Sequence, residues 1–118
     1  MTLPTAPLHD EHCRAMHGAA DRLDDATAAA LLGQLDGWRI VNGRLRKEVP
    51  VADFVAAMQL ANAVANIAER ETHHPELAIA YARVRIDFCT HDVGGLSRND
   101  FICAARIDRL PFLSGASS

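Results

Sequence analysis

Two adjacent histidines stand ahead of a proline, His73-His74-Pro75, with Glu69 before them and Tyr81, His91 and Asp100 after them. Imidazole, with an unperturbed pKa of about 6.5, gives or takes a proton at neutral pH, so three histidines point first to general acid–base chemistry. Two other readings compete. A histidine pair before proline can simply end a helix, and three imidazoles with a water can make a catalytic zinc site. Gly94-Gly95 suggests a phosphate cradle, but the P-loop and Rossmann patterns that would surround one are missing, and a tight turn explains the pair.

For these side chains to act together, the elements around them must end in one place. Acidic residues from Asp24 followed by alanines, Leu31, Leu32 and Leu35 predict a first helix, stopped by Gly37. Trp38, Ile40, Leu45, Lys47 and Val49 flank Asn42-Gly43, a dipeptide suited to the positive φ angles of a type I′ hairpin. Asp53 caps a second helix with Phe54, Met58, Ala61, Ala65 and Ala68 as its predicted buried face, ending near Thr72. Proline disfavours helical geometry in the residue before it, which puts the histidine pair at a helix-to-strand junction.

Beyond Pro75, apolar residues fall at odd positions (Leu77, Ile79, Tyr81) and then at even ones (Val84, Ile86, Phe88). Side chains alternate faces along a strand, so this phase change needs a turn near Ala82-Arg83, and the second strand is read from about Arg83 to Thr90. Ser97 and Asp100 then form a capping-box pattern ahead of a third helix marked by Phe101, Ala104, Ala105 and Ile107 and closed by Pro111. The order helix, two strands, helix, two strands, helix is that of an α+β domain.

The 118 residues suit one domain, with a formal net charge of −3 and no apolar run long enough for a membrane span. Twelve Arg and Lys against fifteen Asp and Glu form no basic stripe, which argues against direct nucleic-acid binding. Cys13, Cys89 and Cys103 are odd in number and lack CxxC spacing, so neither a disulfide framework nor a thiolate zinc site is expected, and a reducing, cytoplasmic setting fits. Residues 1–20 carry prolines and scattered histidines without apolar period and read as a mobile extension. His9, His12, Cys13 and His17 there are set aside as a metal cluster, because no fixed fold is visible around them. The domain is placed at 21–113 and a disordered tail at 114–118.

The ordered spacing from Glu69 through His73-His74-Pro75, Tyr81, Thr90-His91-Asp92 and Gly94-Gly95-Leu96-Ser97 to Asp100 resembles the signature of the pterin-4a-carbinolamine dehydratase family. The resemblance implies a four-stranded antiparallel sheet with three helices on one face. It also implies a hydro-lyase that removes water from 4a-hydroxytetrahydropterin to give quinonoid dihydropterin, in support of aromatic amino-acid hydroxylation, with no metal and no redox cofactor. By position, His73 and His91 resemble the family's general acids, one for each epimer, and His74 the substrate-binding histidine that can serve as base. Pro75, Cys89, Thr90, Asp92 and Val93 are implied to line the pterin, with Glu69 or Asp100 holding a histidine tautomer or a pterin nitrogen. For Thr90, Asp100 and Tyr81 plain structural roles stay open: strand residue, helix cap and core aromatic. Implied partners are the pterin and further copies of the chain in a homodimer or homotetramer. The alternative is a non-catalytic protein-binding module, a dimerisation cofactor or assembly factor, with a partner on the helical face. Where the family usually carries Trp and an Asn-Val-Tyr-Asn run after His-His-Pro-Glu, this chain has Leu77, Ala78, Ile79, Ala80, Tyr81 and Ala82.

Overall fold

The computed structural model describes residues 7–111. In chain order these form α1 (Asp25–Leu32), β1 (Arg39–Val41), β2 (Arg44–Pro50), α2 (Phe54–Glu71), β3 (Glu76–Ala80), β4 (Arg83–Phe88) and α3 (Arg98–Asp108), with short 3-10 turns at Leu8–Asp10, Gly18–Asp21 and His91–Val93. The strands make one antiparallel sheet in the order β1-β2-β4-β3. Among the described residues no helix is long and apolar enough to cross a membrane.

Strand alternation divides the sheet into two unlike faces. Leu45, Val49, Val84, Ile86 and Phe88 point inward and are buried against Ala57, Leu60 and Val64 of α2 and Phe101, Ile102 and Ile107 of α3. The opposite face carries charges paired across strands: Arg46 donates to both oxygens of Asp87, directly opposite it in register, at 2.7 and 3.2 Å. Arg44 pairs with Glu76 and Arg39 with Glu48 on the same face. This is the pattern of an antiparallel sheet covered on one side.

Local chemistry explains most boundaries. Asp24 accepts from the Thr27 N–H at 2.7 Å and Asp53 from the Ala56 N–H at 2.8 Å, so both helices begin at their predicted caps. Asn42 and Gly43, with φ of 50° and 75°, turn β1 into β2. One inward position of β2 is a lysine: Lys47 Nζ donates to Asp108 Oδ1 at 2.8 Å, and Trp38 Nε1 donates to the same oxygen at the same distance, pinning the end of α3 to the sheet.

Four expectations need correction. The first helix stops at Leu32 rather than reaching Gly37; the leucine spacing persists because Gln34 and Leu35 N–H groups bond three residues back, a tightened turn that still packs Leu35 on the core. The buried face of α2 is Ala57, Leu60, Ala61, Val64, Ile67 and Ala68, leaving Phe54, Met58 and Ala65 of the predicted stripe exposed. Both stripes recur at helical spacing, and the one richer in branched side chains takes the core. Strand β4 ends at Phe88, with Thr90 joined only to Gly95 by an isolated bridge. Residues 8–14, read as lying outside the domain, are laid against α3: Leu8 is buried in the core, Arg98 donates to both carboxylate oxygens of Glu11, and Asn99 exchanges bonds with the Arg14 backbone. This docking uses single anchors and polar bonds, which leave no periodic pattern in sequence. The tail at 114–118 lies outside the described residues.

Candidate functional site

The junction that carries the histidines is built by the end of α2. Thr72 takes a left-handed conformation (φ 52°, ψ 41°); its N–H bonds Glu69 O at 3.4 Å and the His73 N–H bonds Ala68 O at 3.1 Å. That is a Schellman motif with threonine in the seat glycine usually takes. The reversal turns the chain so that consecutive histidines face different partners before β3 begins.

His73 turns inward. Its ring lies nearly parallel to Phe88 (centroids 5.7 Å apart, 10° between planes), and its Nε2 lies 2.6 Å from Asp100 Oδ1. Asp100 is fully buried in the first turn of α3, where its other oxygen accepts from the Thr90 hydroxyl at 2.9 Å and the Ser97 N–H at 2.9 Å. Ser97 Oγ and Thr90 Oγ1 are 2.8 Å apart. Because the Thr90 hydrogen goes to Asp100, the Ser97 hydroxyl is the donor of that pair. A buried carboxylate is costly unless its oxygens are satisfied, and here three donors surround it. An ionised carboxylate only accepts, so the hydrogen in the short contact sits on His73 Nε2. Nδ1 is then the nitrogen left to exchange a proton.

His74 turns outward, its Nε2 2.8 Å from Glu69 Oε1 with both side chains largely exposed. His91 opens the 3-10 turn that follows Thr90 and is exposed. Its backbone follows Thr90, whose hydroxyl donates to the Asp100 carboxylate that meets His73. Cys89 is half-buried, and burial, with smaller opposing and reinforcing charges around it, pushes its thiol above the ordinary range, so it stays a neutral group. Asp92 is exposed, Pro75 half-buried, and Val93 has its side chain in the interior. Tyr81 is 76% exposed at the β3–β4 turn and is not a core aromatic.

The structure thus joins His73, Asp100 and Thr90 into one network and His74 and Glu69 into a second. Phe88 and Ser97 belong to the first network, and sequence reasoning assigned them only to core and cap. Their apolar and capping positions carried no separate signal. A cavity of about 510 Å³ lined by His9, His12, Arg70, Glu71 and Arg106 lies at the docked N-terminal segment and includes none of the three candidate histidines. Among the described residues no group of three or more His, Cys, Asp or Glu is arranged to hold a metal ion.

Comparison with known proteins bears on the same residues. Residues 21–110 match the family model described as pterin 4 alpha carbinolamine dehydratase. A protein of Nitrosospira multiformis, provisionally named pterin-4-alpha-carbinolamine dehydratase, is 41% identical over 103 residues, covering 87% of this chain and 91% of its own. A protein of Xanthomonas oryzae pv. oryzae with the same provisional name is 44% identical over 106 residues, 88% of this chain and 90% of its own. A crystal structure from Brucella melitensis, described as a transcriptional coactivator/pterin dehydratase, is similar with a TM-score of 0.70 at 30% identity over 74% of this chain and 95% of that one.

Proposed function

The chain belongs to the pterin 4 alpha carbinolamine dehydratase family, and from that premise we propose that it removes water from a 4a-hydroxytetrahydropterin by proton transfers through His73, His74 and His91. The departing C4a hydroxyl takes a proton from an imidazolium, the C–O bond breaks, and a base takes the N5 proton as the N5=C4a double bond forms. The products are water and quinonoid dihydropterin. The oxidation level of the reactants does not change, so the step requires no redox cofactor.

The observation that carries this reading is the 2.6 Å contact from His73 Nε2 to a buried carboxylate whose remaining oxygen is already satisfied. It fixes the tautomer, and the near-parallel, offset Phe88 ring restrains rotation, leaving Nδ1 as the acid or base. His91, exposed at the start of its turn, is the second acid, and His74, paired with Glu69, binds the pterin and accepts the N5 proton. Cys89, Asp92 and Pro75 line the substrate with their accessible surfaces, while Thr90 and Val93, whose side chains face inward, contribute backbone. Replacing His73, His74 or His91 by alanine, one at a time, is expected to slow dehydration by up to about 10²-fold, with circular dichroism unchanged. His73→Ala and His91→Ala should fail on opposite epimers. Wild-type turnover in all three variants would reject the site.

The alternative, a purely non-catalytic binding module, accounts for Asp100 as the cap of α3 but gives no use to the inward His73–Asp100 contact. We further propose self-association, as a homodimer or homotetramer. Support comes from Phe54, Val55 and Met58 exposed along α2 and from the open edge of β3 with Ile79 and Tyr81 uncovered. Light scattering at micromolar concentration should give a multiple of the chain mass, and a monomer mass would defeat it.

A further inference from the structure

Cys13 and Cys103 are 90 positions apart in the chain, yet their sulfurs lie 3.5 Å from each other. Cys103 is fully buried on α3, and Cys13 is half-buried on the docked N-terminal segment, its thiol 3.6 Å from Asn99 O. With the Cys13 hydrogen directed to that carbonyl, the Cys103 thiol donates to Cys13 Sγ. Cys13 is thus the partly exposed member of the pair and Cys103 the enclosed one. We propose that Cys13 and Cys103 form an oxidisable pair, closed to a disulfide by hydrogen peroxide, that locks the N-terminal segment onto α3.

The chemistry balances with peroxide as the only oxidant. Cys13, the less buried of the two residues, attacks the peroxide O–O bond as its thiolate, forming a sulfenic acid and releasing hydroxide, which its lost proton turns to water. The Cys103 sulfur then attacks Cys13 Sγ; the S–O bond breaks, and the Cys103 proton leaves with the hydroxyl as a second water. Two thiols and one peroxide give one disulfide and two waters. The hydrogen bond to Cys13, then burial, hold the Cys103 thiol far above its ordinary range. Cys103 is consequently the resolving partner rather than the first target.

Bond formation requires the sulfurs to close to about 2.05 Å. The residues around Cys103, Phe101 to Ala105, are all buried in the core, whereas Cys13 has exposed chain neighbours in His12, Arg14 and Ala15, and its segment is held by part-buried hydrogen bonds with Arg98, Asn99 and Glu71. The segment is therefore the part that moves, and Asp100, one helical turn before Cys103, keeps its place at His73.

Mild peroxide treatment of the full native chain, followed by denaturation and alkylation, tests this. The expected product is a monomeric chain that has lost two hydrogens, alkylates once, at Cys89, and yields a Cys13–Cys103 linked peptide. Its Tm should rise by on the order of 10 °C, reversibly with dithiothreitol, because the bond closes a loop of most of the chain. Dehydration should stay within about twofold of the reduced protein, since the catalytic groups are not displaced. In Cys13→Ser, Cys103 should resist the same peroxide dose. Three alkylatable cysteines after treatment, Cys13 driven to sulfonic acid without linkage, or Cys103 oxidised equally fast in Cys13→Ser would each overturn the proposal.

Discussion

Asp100→Asn tests whether the buried carboxylate sets the proton on His73. Asparagine has the shape of aspartate but offers one acceptor and one donor group where aspartate offers two acceptors. Two donors, the Thr90 hydroxyl and the Ser97 N–H, converge on Oδ2, and only His73 Nε2 meets Oδ1. The cheaper orientation therefore keeps the amide oxygen toward Thr90 and Ser97, preserving the cap of α3, and turns the NH₂ toward His73. Nε2 must then accept, and the hydrogen moves to Nδ1, the atom that should exchange protons with substrate. Exchanging one charge-assisted bond for a neutral one costs about 1–2 kcal/mol, a Tm loss of roughly 5–10 °C for a domain of this size. The rate should fall much further than the stability implies, on the order of 10²-fold in kcat, with the pH–rate profile changed because the imidazolium has lost its counter-charge. Stopped-flow absorbance during carbinolamine dehydration reads the rate. Thr90→Val is the control: it removes a donor from the same carboxylate at a cost of about 1–2 kcal/mol but leaves the tautomer, so its rate should stay within about threefold. An Asp100→Asn protein that is destabilised yet turns over normally with an unchanged pH profile would refute the tautomer argument, as would Thr90→Val matching it in rate loss.

Thr72→Gly should raise Tm by several degrees, since a β-branched residue in the left-handed region costs about 1 kcal/mol relative to glycine, and calorimetry would show it. Acid should loosen the N-terminal segment. Hydrogen bonds from Arg98 hold Glu11 below its ordinary 4.5; burial pulls Glu71 up, but the Cys13 N–H, His12 and Arg106 together bring it below 4.5 as well. Folded values below unfolded ones contribute stability that is complete above pH 4.5 and lost as pH falls through the folded pKa. The drop in Tm below that point should be shallower in Glu11→Gln and Glu71→Gln, as followed by thermal melts across pH.

What the sequence disclosed follows from the range of the signals it carries. Asp24, Asp53, Asn42-Gly43 and the Ser97/Asp100 pair act on backbone within three residues of themselves, and all four appear where local chemistry predicts. The phase change after Tyr81 resolved the β3–β4 turn for the same reason. Pattern was weaker on α2, where two stripes satisfied the same period and the one richer in branched side chains took the core. It was silent on the N-terminal segment, because Leu8, Glu11 and Cys13 find their partners on α3 through three-dimensional placement and not through any repeat.

The site shows the same division between local and distant causes. Pro75 explains why His74 lies outside the helix, but the reversal that separates the two histidines is made by Thr72, a residue with no turn signature. Asp100 reads from sequence as a helix cap, and it is one; its Oδ2 holds the α3 backbone while Oδ1 meets His73, so a single carboxylate caps the helix and holds the imidazole. The two readings left open for Asp100 are therefore not rivals. Satisfying Oδ2 with Ser97 and Thr90 keeps the carboxylate oriented in a dry interior, and that orientation directs Oδ1 to the imidazole. Capping fixes the start of α3, the start of α3 fixes Asp100, and Asp100 fixes which nitrogen of His73 is free for chemistry.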